Sequence, residues 1–264
     1  MSGEKKVSLK VRHFWEGRAS EQEAASGAVT HKDIWQRWLE IEMICRYLDK
    51  KARVLDIGCG NGHSTRIFAR KCREIVGMDY SDAMIERARK ESGNTERRGR
   101  RLEFCQGDVL DLGPERFGLF DIAISERCLI NLADFVHQKK AIRNIASILK
   151  PGGRFVFIEG SAEGRQALNA FRRTVGLAAM PKVWYNVDFR EKETVGYLRR
   201  FFVVEERQHF GIYDFLSRVV HPLISSPEEP RYDAKINEVA ARLALVREAF
   251  PDMSRVLFLV LKRK

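Results

Sequence analysis

The chain has 264 residues, 44% of them hydrophobic and 31% charged, and a formal net charge of +11. This length and composition suit one large α/β domain with a sizeable core and exclude wholesale disorder, and no apolar run reaches the roughly 18–20 residues that span a bilayer. Cys45, Cys59, Cys72, Cys105 and Cys128 are scattered, and the charged N-terminus has no apolar stretch behind it. The reading is a cytoplasmic protein with reduced, mostly buried thiols, no secretory signal and no metal.

Residues 1–50 precede the first core strand and are expected to form an N-terminal helical cap. Ile34, Leu39, Ile41, Ile44, Tyr47 and Leu48, with Trp35 and Trp38, give a broad apolar face that Asp33 can open as a cap. Residues 51–160 alternate strand and helix, with strands near 53–57, 74–79, 102–106, 120–125 and 154–159. Helices are expected near 62–71, 81–91 and 134–149, and the alternation implies a parallel sheet covered on both faces. Ser81 suits the N-cap of the second of these helices, and Pro151-Gly152-Gly153 should end the third. Later strands are expected at 200–207 and 255–262. Insertions at 161–199 and 211–251 leave or return to the carboxyl ends of strands, where they can roof an acceptor site.

The first strand, Arg53-Val-Leu-Asp56-Ile, runs into Gly58, Gly60 and Gly62. Glycine lets the chain turn sharply there and bring its backbone against a ligand. The helix that follows presents free N–H groups, which favour a negatively charged group. The second strand ends at Asp79, about 20 residues on, where a carboxylate can meet ribose hydroxyls.

The spacing Asp-x-Gly-x-Gly-x-Gly differs from the dinucleotide Gly-x-Gly-x-x-Gly and resembles motif I of class I S-adenosylmethionine-dependent methyltransferases. The resemblance runs in order over about residues 50–160. It takes in Val76-Gly-Met-Asp79-Tyr80-Ser81, Phe104-Cys-Gln-Gly107-Asp108-Val109, Phe120-Asp121-Ile-Ala-Ile-Ser125, and the Pro151-Gly152-Gly153 turn into strand five. It implies one methyltransferase domain over 1–264, with a doubly wound, Rossmann-like α/β sheet of seven strands in the order 3-2-1-4-5-7-6. The last strand is antiparallel, 51–160 is the cofactor-binding core and 200–264 supplies the edge hairpin.

The same resemblance implies S-adenosyl-L-methionine as methyl donor, S-adenosyl-L-homocysteine as its product and no metal. Gly58, Cys59, Gly60 and Asn61 would contact the methionine part. Asp56 would orient the loop or meet the ammonium. Asp79 would accept from the ribose hydroxyls, with Tyr80 beside it. Asp108 would accept from the adenine amine or merely serve the turn after Gly107, Val109 would pack on the ring, and Ser125 would face the methyl group. The N-terminal segment is expected to close over the donor as a lid, with Trp15, Trp38 or Arg37 near the site.

After strand four, Ser125-Glu126-Arg127-Cys128-Leu129-Ile130-Asn131-Leu132 stands where base N-methyltransferases of this fold carry an Asn/Asp-Pro-Pro-Tyr-like motif. That counts against exocyclic base amines, and the string resembles small-molecule and glycan-type branches. Glu126 and Glu159, at carboxyl ends of adjacent strands, can accept a proton or bind a cation; an ion pair or plain packing is the competing reading. Tyr213, Arg218 and His221 can share related faces of a helix and line a pocket for a hydroxylated or anionic acceptor, or form its packed polar edge. Trp184, Tyr185 and Asn186 can stack on a sugar or ring, or pack in the core.

The leading expectation is methyl transfer to a small-molecule or glycan-type acceptor, O-methylation favoured, with oligomeric state open. Alternatives are a tRNA or rRNA methyltransferase, a non-catalytic donor-binding partner subunit, and aminopropyl transfer. Against RNA, many basic residues precede the strands, among them Lys50, Lys51, Arg53, Arg70, Arg97, Arg98, Arg100, Arg199 and Arg200. They belong to the edge opposite the one where open α/β sheets bind ligands.

Overall fold

The computed structural model describes residues 3–20, 29–93, 101–225 and 231–264, with side chains described from Lys10 on. The strands are β1 (Arg53–Ile57), β2 (Glu74–Asp79), β3 (Arg101–Gln106), β4 (Phe120–Glu126), β5 (Leu149–Gly160), β6 (Phe202–Gln208) and β7 (Val256–Arg263). They form one sheet in the order β3-β2-β1-β4-β5-β7-β6, with β7 antiparallel to both neighbours, as the family resemblance implied. Chain order reverses between β1 and β4, so the crevice at their carboxyl ends is where this architecture binds ligands.

Alternation along the strands sends apolar side chains to both faces. Leu55, Ile57, Ala123, Phe155 and Phe157 enter one layer, and Val54, Ile122, Ile124, Val156 and Ile158 the other. Both faces are covered by helices: α1 (Gly3–Ser20), α2 (Ile34–Cys45), α3 (His63–Phe68), α4 (Asp82–Ser92), α5 (Pro114–Phe117) and α6 (Phe135–Ser147). The insertion after β5 carries α7 (Ala162–Thr174) and α8 (Glu191–Leu198). The insertion after β6 carries α9 (Gly211–Phe215), a π-helical turn (Leu216–Val220), α10 (His221–Ser225) and α11 (Lys235–Ala244).

Local chemistry sets several of these ends. Asp33 caps α2 by accepting from Gln36 N at 3.1 Å, and Ser81 caps α4 by accepting from Met84 N at 3.3 Å. Two expectations need correction. The third core helix stops at Ser147 rather than being ended by Pro151-Gly152-Gly153. That triplet lies inside β5, which begins at Leu149 because Leu149 already pairs with Phe120; the ladder shifts register before Ile122 meets Arg154. Gly153 is required there: a Cβ would come 2.9 Å from Lys150 O and 3.0 Å from Asp121 O.

No helix among the described residues is long and apolar enough to cross a membrane. Several basic residues at the amino ends of the strands are paired along that edge, as in Arg53–Glu74 (2.9 Å), Lys150–Asp121 (2.6 Å) and Arg154–Glu205 (2.8 Å). Arg97, Arg98 and Arg100 lie outside the described residues.

Candidate functional site

The loop leaving β1 holds Gly58, Gly60 and Gly62 at φ of +74°, +53° and +72°, a region that penalises any side chain. Space forbids one as well. A Cβ on Gly58 would lie 2.5 Å from Cys128 Sγ, and one on Gly60 would lie 2.7 Å from Thr30 Cγ2. Gly58 N and Cys59 N both donate to Met78 O, at 2.7 and 3.1 Å. Asp79 ties the loop to the end of β2: its Oδ2 accepts from Gly60 N and its Oδ1 from Ser81 N, each at 2.9 Å. A carboxylate oxygen accepts more than one hydrogen bond, so both remain able to meet a pair of ribose hydroxyls.

The loop floors a slot of about 100 Å³ whose walls include Asp56, Asp79, Glu126, Arg37 and Tyr80. Burial pushes the Asp56 and Asp79 carboxyls up to about 6, against hydrogen bonds from Thr65 and from the Ser81 and Gly60 amides. Burial, with Glu40 adding repulsion, pushes Glu126 up to about 7. Arg37 is buried among them and donates to Thr30 Oγ1 at 2.9 Å. Three acids around one guanidinium suit a donor that carries an ammonium and a sulfonium. The stripped loop fits a ligand approaching the backbone, so the residues present match S-adenosylmethionine.

The N-terminal segment forms the outer wall. Trp15 and Arg37 line the slot as expected, whereas Trp38 packs against Trp35 and beneath Arg242. α1 docks on α4 through Ala19, Val29 and Met84, and Tyr80 Oη donates to Val11 O at 3.4 Å.

Other expected donor contacts fall differently. Cys59 lines the slot, but its thiol packs with Ile85, Ala88 and Phe104. Asn61 is buried outside the slot walls and donates to Glu91 at 3.2 Å. Asp108 is exposed and caps the next turn by accepting from Leu110 N at 2.8 Å, while Val109 sits in the core; neither borders the slot. Ser125 is fully buried and donates to Glu159, so it does not face the methyl position.

Glu159 also departs from expectation. It is fully buried and borders neither cavity, and it accepts from the Ser125 hydroxyl, Leu129 N (2.9 Å) and Ile130 N (3.1 Å). Burial raises its carboxyl to about 7, but no acceptor can reach it. Its work is to fold the segment after β4, which turns sharply at Arg127. That residue has φ +55°, a conformation costing roughly 1–3 kcal/mol that persists only where its surroundings impose it. Arg127 N donates to Ile158 O at 2.8 Å, and its guanidinium reaches Glu40 at 2.7 Å, which together fix the turn.

Beyond the slot lies a chamber of about 920 Å³, roofed by α1 and by both insertions. Of the expected substrate residues, Tyr185, Asn186, Arg218 and His221 line it. Trp184 does not: it is 57% exposed and packs edge-on against Phe14 at 5.8 Å. Tyr213 is buried behind the wall, its hydroxyl donating to Asp33 Oδ1 at 2.6 Å, and Arg218 pairs with the other oxygen of the same carboxylate. Burial alone would raise the Asp33 carboxyl, but Arg218, His31 and the Tyr213 hydroxyl hold it below the usual range.

Slot and chamber share five wall residues: Trp15, Thr30, His31, Arg127 and Asn131. Of these, Thr30 and His31 are not among the residues expected at the site. His31 Nδ1 lies 2.8 Å from Asp33 O. A carbonyl only accepts, so Nδ1 carries the proton and Nε2 keeps a free lone pair. Burial, and then Arg127, lower this imidazole to about 4, so it is neutral at pH 7.

Comparison with known proteins follows the same lines. A family described as "Methyltransferase domain" matches residues 48–194. The chain belongs to that family. It is a class I S-adenosylmethionine-dependent methyltransferase, with S-adenosylmethionine as its cofactor. An uncharacterized methyltransferase of Bacillus subtilis is 34% identical over 119 residues, 45% of each protein, so the match spans less than half of that relative. The 2-phytyl-1,4-naphtoquinone methyltransferase of Thermosynechococcus vestitus is 26% identical over 195 residues, 69% of each. Among solved structures, the N-methyltransferase NodS of Bradyrhizobium japonicum with S-adenosyl-L-homocysteine superposes with a TM-score of 0.58. It is 16% identical, over 96% of this chain and 98% of that one, a likeness of fold. Among the described residues of this methyltransferase no group of three or more His, Cys, Asp and Glu is placed to hold a metal.

Proposed function

We propose that this methyltransferase O-methylates a small hydroxylated molecule held in the chamber. The observation that carries this reading is the shared wall: a ligand in the chamber meets the donor slot at His31, beneath α1 and both insertions. The chamber's size falls in the range of small-molecule sites, roughly 300–1,000 Å³. The quinone methyltransferase among the relatives supports it, since that protein's name specifies a small molecule. Residues 1–50 act as the cap over the core at 51–160, and the insertions at 161–199 and 211–251 select the acceptor.

When bound, the donor supplies an electrophilic methyl group. The chain's task is to hold a hydroxyl in line with it and keep water out, and such orientation is worth about 7–11 kcal/mol in favourable systems. Asp79 holds the ribose, and Asp56 and Glu126 face the donor's positive charge. His31 Nε2 accepts the acceptor's hydroxyl hydrogen and takes the proton as the C–O bond forms. A ring with pKa about 4 suffices, because the protonated ether it would otherwise leave is a far stronger acid.

The test is incubation with labelled S-adenosylmethionine against a pool of small hydroxylated compounds and, separately, tRNA and rRNA. Label should enter a small product carrying an O-methyl group by NMR, and His31→Ala should lower kcat about 100-fold with little change in donor affinity, the lower range of acid–base effects. Label in RNA, or a product methylated on nitrogen or carbon, overturns the reading.

A further inference from the structure

Three arginines meet in the chamber wall, and they are not equivalent. Arg218 is paired with Asp33, and Arg255 with Asp214 at 2.6 Å. Arg172, in α7, has only backbone partners: Nε donates to Ala178 O at 2.9 Å, and Nη1 donates to Arg218 O. Among the described residues no carboxylate lies within ion-pair distance of it. Burial, and then Arg218 and Arg255, lower its pKa, so its surroundings oppose the charge that it carries. A guanidinium has five N–H donors, and those not spent on carbonyls point to an oxyanion ligand.

Asn186 and Asn237 also line the chamber, while their side-chain oxygens are buried away from it with no hydrogen-bond partner among the described residues. Asn237 is held in place by its own Nδ2, which donates to Arg231 O at 3.1 Å. A buried acceptor without a donor is costly and rare in folded proteins. Between the polar groups the wall is carbon, from Leu177, Met180, Pro181 and Val183.

We propose that the acceptor is a hydroxylated acid, its carboxylate or phosphate gripped by Arg172. The proposal rests on the chamber being the acceptor site and adds which chemistry that site selects. Arg172 comes from the first insertion and His31 from the cap, so the acidic group binds to the roof while another hydroxyl is presented at the slot. Methyl transfer then leaves the acid free and caps the hydroxyl as an ether.

Calorimetry on the full chain saturated with S-adenosyl-L-homocysteine tests this without needing turnover. The probes are matched pairs: hydroxybenzoates and dihydroxycinnamates against their amides, and hydroxyphenyl phosphates against the parent phenols. At least one acid should bind about 10–100-fold tighter than its uncharged partner, the range of a charge-assisted bond. The two arms distinguish carboxylate from phosphate. Arg172→Met should abolish the preference and Arg172→Lys should retain part of it, with product affinity and melting temperature near native in both. Arg173→Met, an exposed neighbour, should change nothing. Equal binding of acids and uncharged partners, or a preference that survives Arg172→Met, overturns the proposal. Failure of O-methylation with intact acid binding would instead count against the proposed reaction.

Discussion

The donor slot and the acceptor chamber share a wall but are built in opposite ways. The floor of the slot comes from one continuous stretch, Asp56 to Asp79, and its shape is a property of the backbone: positive-φ glycines, amides bonded to Met78 O, and a carboxylate tied to two N–H groups. The chamber is assembled from side chains on α1, the cap loop, the turn after β4 and both insertions. A backbone site tolerates few changes and looks alike wherever it occurs. A side-chain site can be rewritten one residue at a time, which is how one fold serves many acceptors.

The sharpest way to break this contrast is Asp79→Ala. It removes both loop ties and both ribose acceptors, charge-assisted bonds worth roughly 1.5–3 kcal/mol each, so S-adenosyl-L-homocysteine affinity should fall on the order of 100-fold or more. Binding within threefold of native by calorimetry would mean that the slot does not depend on its acid. A smaller effect should follow pH. Asp56 and Asp79 are raised to about 6 and Glu126 to about 7, so all three lose protons between about pH 5 and 8. A cationic donor favours the ionised forms, so its binding releases protons and strengthens as pH rises through that window, by about tenfold. Calorimetry at pH 6.5 in buffers of different ionisation enthalpy would show proton release; net uptake would contradict the assignment. Stability of the ligand-free protein should move the other way. Groups with raised folded-state values favour the fold at low pH and lose that contribution as pH rises through the same window.

The smallest effect concerns the roof. Phe14, Trp15, Trp184 and Tyr185 form a cluster of edge-on and tilted rings that joins α1 to the first insertion. Such contacts contribute about 0.5–1.5 kcal/mol each beyond buried area. Trp184→Ala should speed amide exchange over residues 10–20 and raise acceptor KM a few-fold, with donor affinity unchanged. Equal exchange in both proteins would show that the rings are not a clasp.

The same contrast explains what could be read in the chain. The core strands, the glycine loop and Asp79 follow from periodicity and from spacing, because local backbone demands leave local traces, whereas the order of the strands comes only with the family resemblance. Ser125 and Glu159 misled for a physical reason. Both sit at carboxyl ends of central strands, where reactive groups belong, yet they face each other and the amides of Leu129 and Ile130. Spacing cannot distinguish an acid facing a cavity from one folding a turn. Asp108 shows the same ambiguity, since a residue after Gly107 serves a turn and a ligand with one carboxylate. Arg172 carried no signal, because in Arg172-Arg173 at the end of α7 the inward cation reads like the outward one. His31 offered a faint clue, standing two residues before a helix cap, but its tautomer depends on where the Asp33 carbonyl points.

Thr30 rests against Gly60, with His31 next in the chain facing both cavities. A slot of about 100 Å³ is smaller than ligand sites usually are, so this stretch must lift before the donor can seat. The order of events expected from this is donor first, then cap, then acceptor, with the demethylated product last to leave. Initial-rate studies should therefore show S-adenosyl-L-homocysteine competing with the donor alone. The same arrangement ties the two specificities together genetically. A lineage that retunes its acceptor at Thr30, which rests on the glycine loop, disturbs its grip on the donor, so new acceptors are more readily acquired through the two insertions than there.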